Sequence, residues 1–479
     1  MAHVSEHIER SQRTAAKSSG VRQAPFHLVA PVVASALVVG AAGGFALAAT
    51  LTITSALGAS GTAEWLALVQ AHGHLQLYGW AGLFVLGVAS HFLPRLRGRP
   101  LAGQRFVLPL LLAQLTALTL RAFGQPLATA SDAGIWRVLF AASGIVELAA
   151  LGGLATIIAV TFARGPALRT RPAFLAVLPL LALAFLSLTL AALLNLANVI
   201  AASRTPAVLV APPGDSTNVT LGLFGFLLPM ALAMSAQSLP MYAGLAPFPR
   251  MLLWPLAGVY ALGLALLCGT SLMGWPILLA GFGMLLVGGA LLFFVAIFIK
   301  MMRQRGRLPH KVADLAPSAE TAARNYRSHV ITQRATYGPF VALVASAYIW
   351  ACVGGILFVI DGMATLFGAG LPLSYDAARH SFAAGFIALL ICGIAPRMLP
   401  GFSGGHIRSP RLVTATLWLG NCAALLRVGS ALAAPYATSG FAHALTEAAF
   451  ALSGPLGLAL ALVLLLNLWP AIFPAAHDK

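Results

Sequence analysis

The sequence predicts an all-α polytopic membrane protein, with twelve transmembrane helices arranged as three pseudo-symmetric four-helix units. Three observations predict it. Of 479 residues, 59% are hydrophobic and only 9% are charged, where a soluble domain carries about a quarter charged residues. Twelve apolar runs reach the roughly 20 residues that a bilayer crossing needs. One of those runs also recurs twice, and recurrence at a fixed offset marks a chain built from related units.

The runs fall at 28–57, 66–93, 104–123, 135–162, 172–201, 219–245, 250–269, 275–302, 336–365, 377–399, 411–433 and 441–473. A polar tail, 1–27, precedes them. It carries Arg10, Arg13, Lys17 and Arg22 and lacks the short apolar core of a secretory signal, so it reads as a cytoplasmic segment. Unit 1 covers 28–163 and unit 2 covers 172–302. A basic loop at 303–335, containing Pro309 and Pro317, leads into unit 3 at 336–474. The four cysteines, Cys268, Cys352, Cys392 and Cys422, lie inside apolar runs without CxxC spacing, which predicts neither a disulfide framework nor a zinc site.

The net charge of +17 does not point to nucleic acid, because the basic residues cluster in short loops between apolar runs. Lys and Arg concentrate on the cytoplasmic side of membrane proteins. With the N-terminus cytoplasmic, only Arg121, Arg137, Arg204, Arg379 and Arg427 of the 29 basic residues fall on the outer side. Both termini are then cytoplasmic, and the chain's surroundings are membrane lipid.

The repeat centres on span 2. His74, Gly79, Leu83, Gly87, Ala89, Leu93-Pro94 and Gly98 reappear 306 residues later as His380, Gly385, Leu389, Gly393, Ala395, Leu399-Pro400 and Gly404. A weaker copy gives Gly225, Leu232, Leu239-Pro240 and Gly244, with Thr220 in place of the histidine. Each copy is the second span of its unit.

Ionisable groups inside a membrane are costly, and a functional role is their default reading. A neutral imidazole is a common metal ligand and an axial ligand of haem iron. Spans 2 and 10 run inward in parallel, so His74 and His380 lie at equivalent depth and can clasp one macrocycle near the outer face. His72 stands two residues from His74, about 200° around a helix, and therefore faces another partner. His443, four residues before Glu447 on one face of span 12, adds a further imidazole. The candidate metal ligands are His72, His74, His380 and His443. Haem propionates require cations, and Arg121, Arg379 and Arg427 lie at the outer ends of spans 3, 10 and 11. The bland alternative for each arginine is snorkelling to lipid headgroups.

Twelve spans with histidines on the second and tenth resemble subunit I of the haem-copper oxidases, a likeness strengthened by His74-Leu75-Gln76-Leu77-Tyr78-Gly79-Trp80 and Leu93-Pro94-Arg95. That resemblance implies a low-spin haem held between those spans. Spans 6 and 7 lack the histidines that ligate copper in that superfamily, and Ser381-Phe382 follows His380 where it has a second histidine. The usual binuclear oxygen-reducing centre is therefore not implied. The chain is more similar to the NnrS family of twelve-span bacterial proteins, described as haem- and copper-containing and linked to nitric oxide. The shared features are His72-Gly73-His74 with Gly79-Trp80, and His380, Gly385, Arg397 and Gly404-Gly405. Leu75 departs from the Glu that commonly follows the second histidine there. The resemblance implies haem b, one or two per chain, and a bacterial inner-membrane location. It also implies nitric oxide as a small ligand and a redox partner of unknown identity, and it leaves copper open. An enzyme of this kind would be an oxidoreductase acting on nitric oxide. A membrane transporter and a non-catalytic haem subunit of a larger redox complex are the alternatives.

Overall fold

The computed structural model describes residues 26–131, 133–304, 330–368 and 373–474. Most of the expected polar tail and of the 303–335 loop lies outside the described residues. Among the described residues the fold is helical, without strands. Twelve helices are long and apolar enough to cross a membrane. They are α1 (Ala30–Ala56), α2 (Ala63–Arg97), α3 (Gln104–Ala130), α4 (Gly134–Ala163), α5 (Pro172–Ala202) and α6 (Pro212–Ala243), then α7 (Arg250–Met273), α8 (Ile277–Arg303), α9 (Phe340–Leu366), α10 (Tyr375–Ser403), α11 (Pro410–Ala433) and α12 (Gly440–Ile472). They coincide with the twelve apolar runs.

The three repeated helices are the central ones. The apolar windows of α2, α6 and α10 are 89%, 83% and 78% buried, against 33–56% for the other nine. Around them the chain closes on itself: α4 packs on α5, α8 on α9, and α12 returns to α1. Inside this ring, α6 touches both α2 and α10. The outer helices present large apolar side chains such as Phe123, Ile145, Leu186 and Trp418, as helices facing lipid do.

The repeated residues have local work to do. Gly98, Gly244 and Gly404 end α2, α6 and α10 in the left-handed conformation, with φ of 73°, 66° and 78°. A side chain there would clash with the following carbonyl, so glycine is the natural terminator. Upstream, each helix widens into a π-helical segment that starts directly after His74, Thr220 or His380: Leu75–Ala81, Leu221–Leu227 and Ser381–Ile387. The offsets are those of the sequence repeat. π-turns are rare and concentrate at functional sites.

A fourth π segment, Gly40–Phe45, bends α1 against that of α2. Its glycines permit the approach, since a Cβ on Gly40 would lie 2.2 Å from Trp80 Cδ1. Gly79 and Gly385 likewise serve close packing. A Cβ on Gly79 would lie 2.7 Å from Val39 Cγ1, and one on Gly385 would lie 2.5 Å from Trp350 Cγ.

Candidate functional site

Between α2 and α10 lies a cavity of about 320 Å³, walled also by α1, α6, α11 and α12. It has two ends because α2, α6 and α10 run in the same direction. Asp215, Asp376 and Arg379 sit in the first turns of α6 and α10, and Arg121 and Arg427 reach the same end from α3 and α11. Further along the helices the wall turns apolar, with Leu77, Trp80, Leu223 and Ile387 beside the small residues Ala383, Ala384, Gly420 and Gly457. A slot that is charged at one end and apolar at the other suits a flat amphipathic ligand.

His72, His74 and His380 all line this cavity, but their nitrogens are used differently. His74 Nε2 lies 2.8 Å from Glu147 Oε1 and 3.0 Å from Oε2, with both side chains buried. His72 Nδ1 meets the carbonyl of Gly44, in the π segment of α1, at 2.9 Å. His380 Nδ1 meets the Asp376 carbonyl at 2.9 Å and Asp376 Oδ1 at 3.1 Å. Among the described residues, neither His72 nor His380 makes a hydrogen bond through Nε2. Tethering one ring nitrogen to an oxygen is how proteins aim the other at a metal. The sequence predicts His74 as the partner of His380. In the structure each of the three rings is tied through one nitrogen and keeps the other without a hydrogen bond among the described residues: Nδ1 of His74, and Nε2 of His72 and His380. The 200° separation of His72 and His74 explains the division: one ring turns toward α1 and α10, the other toward α3 and α4.

Glu147 anchors a buried polar cluster on that second side. It also accepts from Gln114 Nε2 at 3.3 Å and from Asn195 Nδ2. Asn195 Oδ1 takes Arg121 Nη1 at 2.7 Å, and the guanidinium of Arg121 covers the Phe140 ring at 5.2 Å. Each of these groups is buried and has at least one partner in the cluster, as burial of charge requires.

The other two arginines are also held in place. Arg427 Nη2 donates to Asp376 Oδ2, and its guanidinium lies 5.0 Å from the Phe450 ring. Arg379 Nη2 donates to Ser216 Oγ at 2.9 Å and stacks over Tyr375 at 4.6 Å. The Nε atoms of Arg121 and Arg379 are buried without a protein acceptor, leaving donor capacity beside the cavity.

His443 is not part of this group. It lies in the first turn of α12, with Nδ1 3.1 Å from the Ala437 carbonyl, and it does not line the cavity. Among the described residues, no set of three or more His, Cys, Asp or Glu is gathered closely enough to hold a metal ion. His91 also lies elsewhere, between the rings of Phe26 and Phe402 at 5.4 and 4.2 Å.

Sequence reading missed Asp376, Asp215 and the Gly44 carbonyl. Asp376 carried a usable signal: it stands four residues before His380, on the same helix face. Compared with known proteins, the chain matches no family model and no curated protein.

Proposed function

We propose that this protein is a haem-binding membrane protein of the NnrS type, which binds or metabolises nitric oxide or transfers electrons in support of that chemistry. The observation that carries the proposal is the pair His72 and His380. Two imidazoles from different central helices border one cavity, each tied back through Nδ1 and each with Nε2 left over. His72 and His380 would hold the haem iron through Nε2. Arg121, Arg379 and Arg427 would face the propionates at the charged end. The small and apolar side chains of the π segments would face the ring.

The residues fit a haem on three counts. The nitrogens available are those that haem proteins use, the cavity is amphipathic, and two guanidiniums retain buried donors beside it. Haem bound there would supply a one-electron redox centre and, on release of one imidazole, a site for a diatomic gas. The surrounding chain holds His72 by the Gly44 carbonyl and His380 by Asp376, and it lines the far end of the cavity with apolar side chains. A relationship to haem-copper oxidase subunit I follows from this reading, since that arrangement also places haem between its second and tenth helices. The Lys and Arg distribution supports cytoplasmic termini, and the resemblance to the NnrS family implies the bacterial inner membrane.

The test is the absorption spectrum of the purified protein with its His72→Ala, His74→Ala and His380→Ala variants. Wild type should show a sharp Soret band and the visible bands of low-spin six-coordinate iron. His72→Ala and His380→Ala should lose those bands, whereas His74→Ala should keep them. Addition of nitric oxide should shift the Soret band. Folded wild type without iron would overturn the reading.

A further inference from the structure

The two tethered imidazoles are not equivalent. His72 Nδ1 meets a neutral main-chain carbonyl, that of Gly44, at 2.9 Å. His380 Nδ1 also meets a main-chain carbonyl, that of Asp376, at 2.9 Å, but it has in addition the Asp376 carboxylate in ion-pair contact, with Oδ1 at 3.1 Å. Asp376 lies one helical turn before His380, so the two side chains stack along one face of α10. The other carboxylate oxygen, Oδ2, takes Arg427 from α11. Arg427 is itself fixed over Phe450 of α12. Three helices thus determine where the carboxylate sits.

A carboxylate beside the Nδ1 proton holds it more strongly than a carbonyl alone does and so makes the opposite nitrogen a better donor to a metal. We infer that Asp376, held by Arg427, is a positioning residue that orients His380 and makes its Nε2 a stronger donor than that of His72. The two imidazoles would then hold the cofactor unequally, with the stronger donor on α10. Stronger donation stabilises oxidised iron, so Asp376 lowers the midpoint potential. Arg427 opposes it by drawing on the same carboxylate and by placing a positive charge beside the cavity. This inference rests on the haem reading and goes one step past it.

The structure offers a clean perturbation. In Asp376→Asn the main-chain carbonyl of residue 376 still accepts His380 Nδ1–H, so the ring keeps its place while the negative charge is lost. Asp215 provides the control, because it lines the same cavity and, among the described residues, makes no hydrogen bond to either imidazole. The experiment is spectroelectrochemical titration of the purified holoprotein, with electron paramagnetic resonance of its oxidised form. In Asp376→Asn the ratio of reduced to oxidised haem at fixed ambient potential should rise about tenfold, which is 59 mV for one electron. The low-spin g-values should move with it, and Asp376→Glu should restore both in part. Arg427→Gln should shift the ratio the opposite way. Asp215→Asn should change the potential only, leaving the g-values in place. Holoprotein in which Asp376→Asn leaves g-values and potential unchanged, or changes them no more than Asp215→Asn does, would overturn the inference while the haem reading stands. Folded wild type without haem would overturn both.

Discussion

Replacing Glu147 by Leu tests whether His74 belongs to a structural cluster or to the cofactor. Leucine nearly preserves the volume, so the change removes the acceptor without opening a large cavity. Three buried donors lose their partner: His74 Nε2, Gln114 Nε2 and Asn195 Nδ2. A buried polar group left unsatisfied costs about 1–3 kcal/mol. Simple addition would overstate the total, because neighbouring groups relax together. The better guide is the loss on removing one member of a buried ion pair, about 3–5 kcal/mol, and we expect that for Glu147→Leu. Glu147→Gln keeps one acceptor oxygen and should cost about 1 kcal/mol. The assay is denaturant and thermal unfolding of the protein in detergent, followed by tryptophan fluorescence. A double-mutant cycle with His74→Leu should give a coupling of about 0.5–3 kcal/mol, since removing both partners leaves fewer orphaned groups than removing either. Haem content should survive in every member of the cycle that remains folded. A loss below about 1 kcal/mol for Glu147→Leu would refute the cluster as a structural anchor. Haem loss from stable Glu147→Leu would return His74 to the ligand set.

Two further outcomes are expected. Gly385→Ala should lose about 1–3 kcal/mol by overpacking, because its methyl group would press on Trp350, which Asn421 Oδ1 holds by its indole N–H at 3.0 Å; unchanged unfolding would refute that contact. A cysteine replacing Ser60, between α1 and α2, should react with a membrane-impermeant maleimide in intact cells, and one replacing Gly103 should not; the reverse pattern would invert the orientation read from the basic residues.

Much of this architecture is legible in the sequence because lipid simplifies the problem. A spanning helix must be apolar along its length, so all twelve could be read from hydropathy. The repeat identified α2, α6 and α10, and the structure finds them central. The partners of the histidines were harder to see. Gly44 lies 28 residues from His72, and Glu147 lies 73 from His74. Nothing local to the His72-Gly73-His74 motif says which ring meets which oxygen. The π-turns after His74 and His380 added a second obstacle. An extra residue per turn shifts every angle counted at 100° per residue, so helical-wheel reasoning fails beyond the histidine itself. Asp376 is the exception. Its four-residue spacing from His380 was visible, and only the dominance of the histidine motif hid it.

The three units also explain why the cavity lies where it does. In the middle unit Thr220 replaces the histidine, and its hydroxyl donates to the Ser216 carbonyl at 2.8 Å, so it asks for no ligand. The space where α6 meets α9 and α10 is filled by rings instead. Phe224, Phe358 and Phe382 are fully buried, with centroids 4.9, 5.4 and 5.6 Å apart. Phe382 is two residues from His380, on α10. One side of that helix is therefore sealed by aromatic packing while the other carries an imidazole to the α2 side. At the second unit packed rings close the gap, and the cavity lined by His72 and His380 lies where helices of the first unit face those of the third.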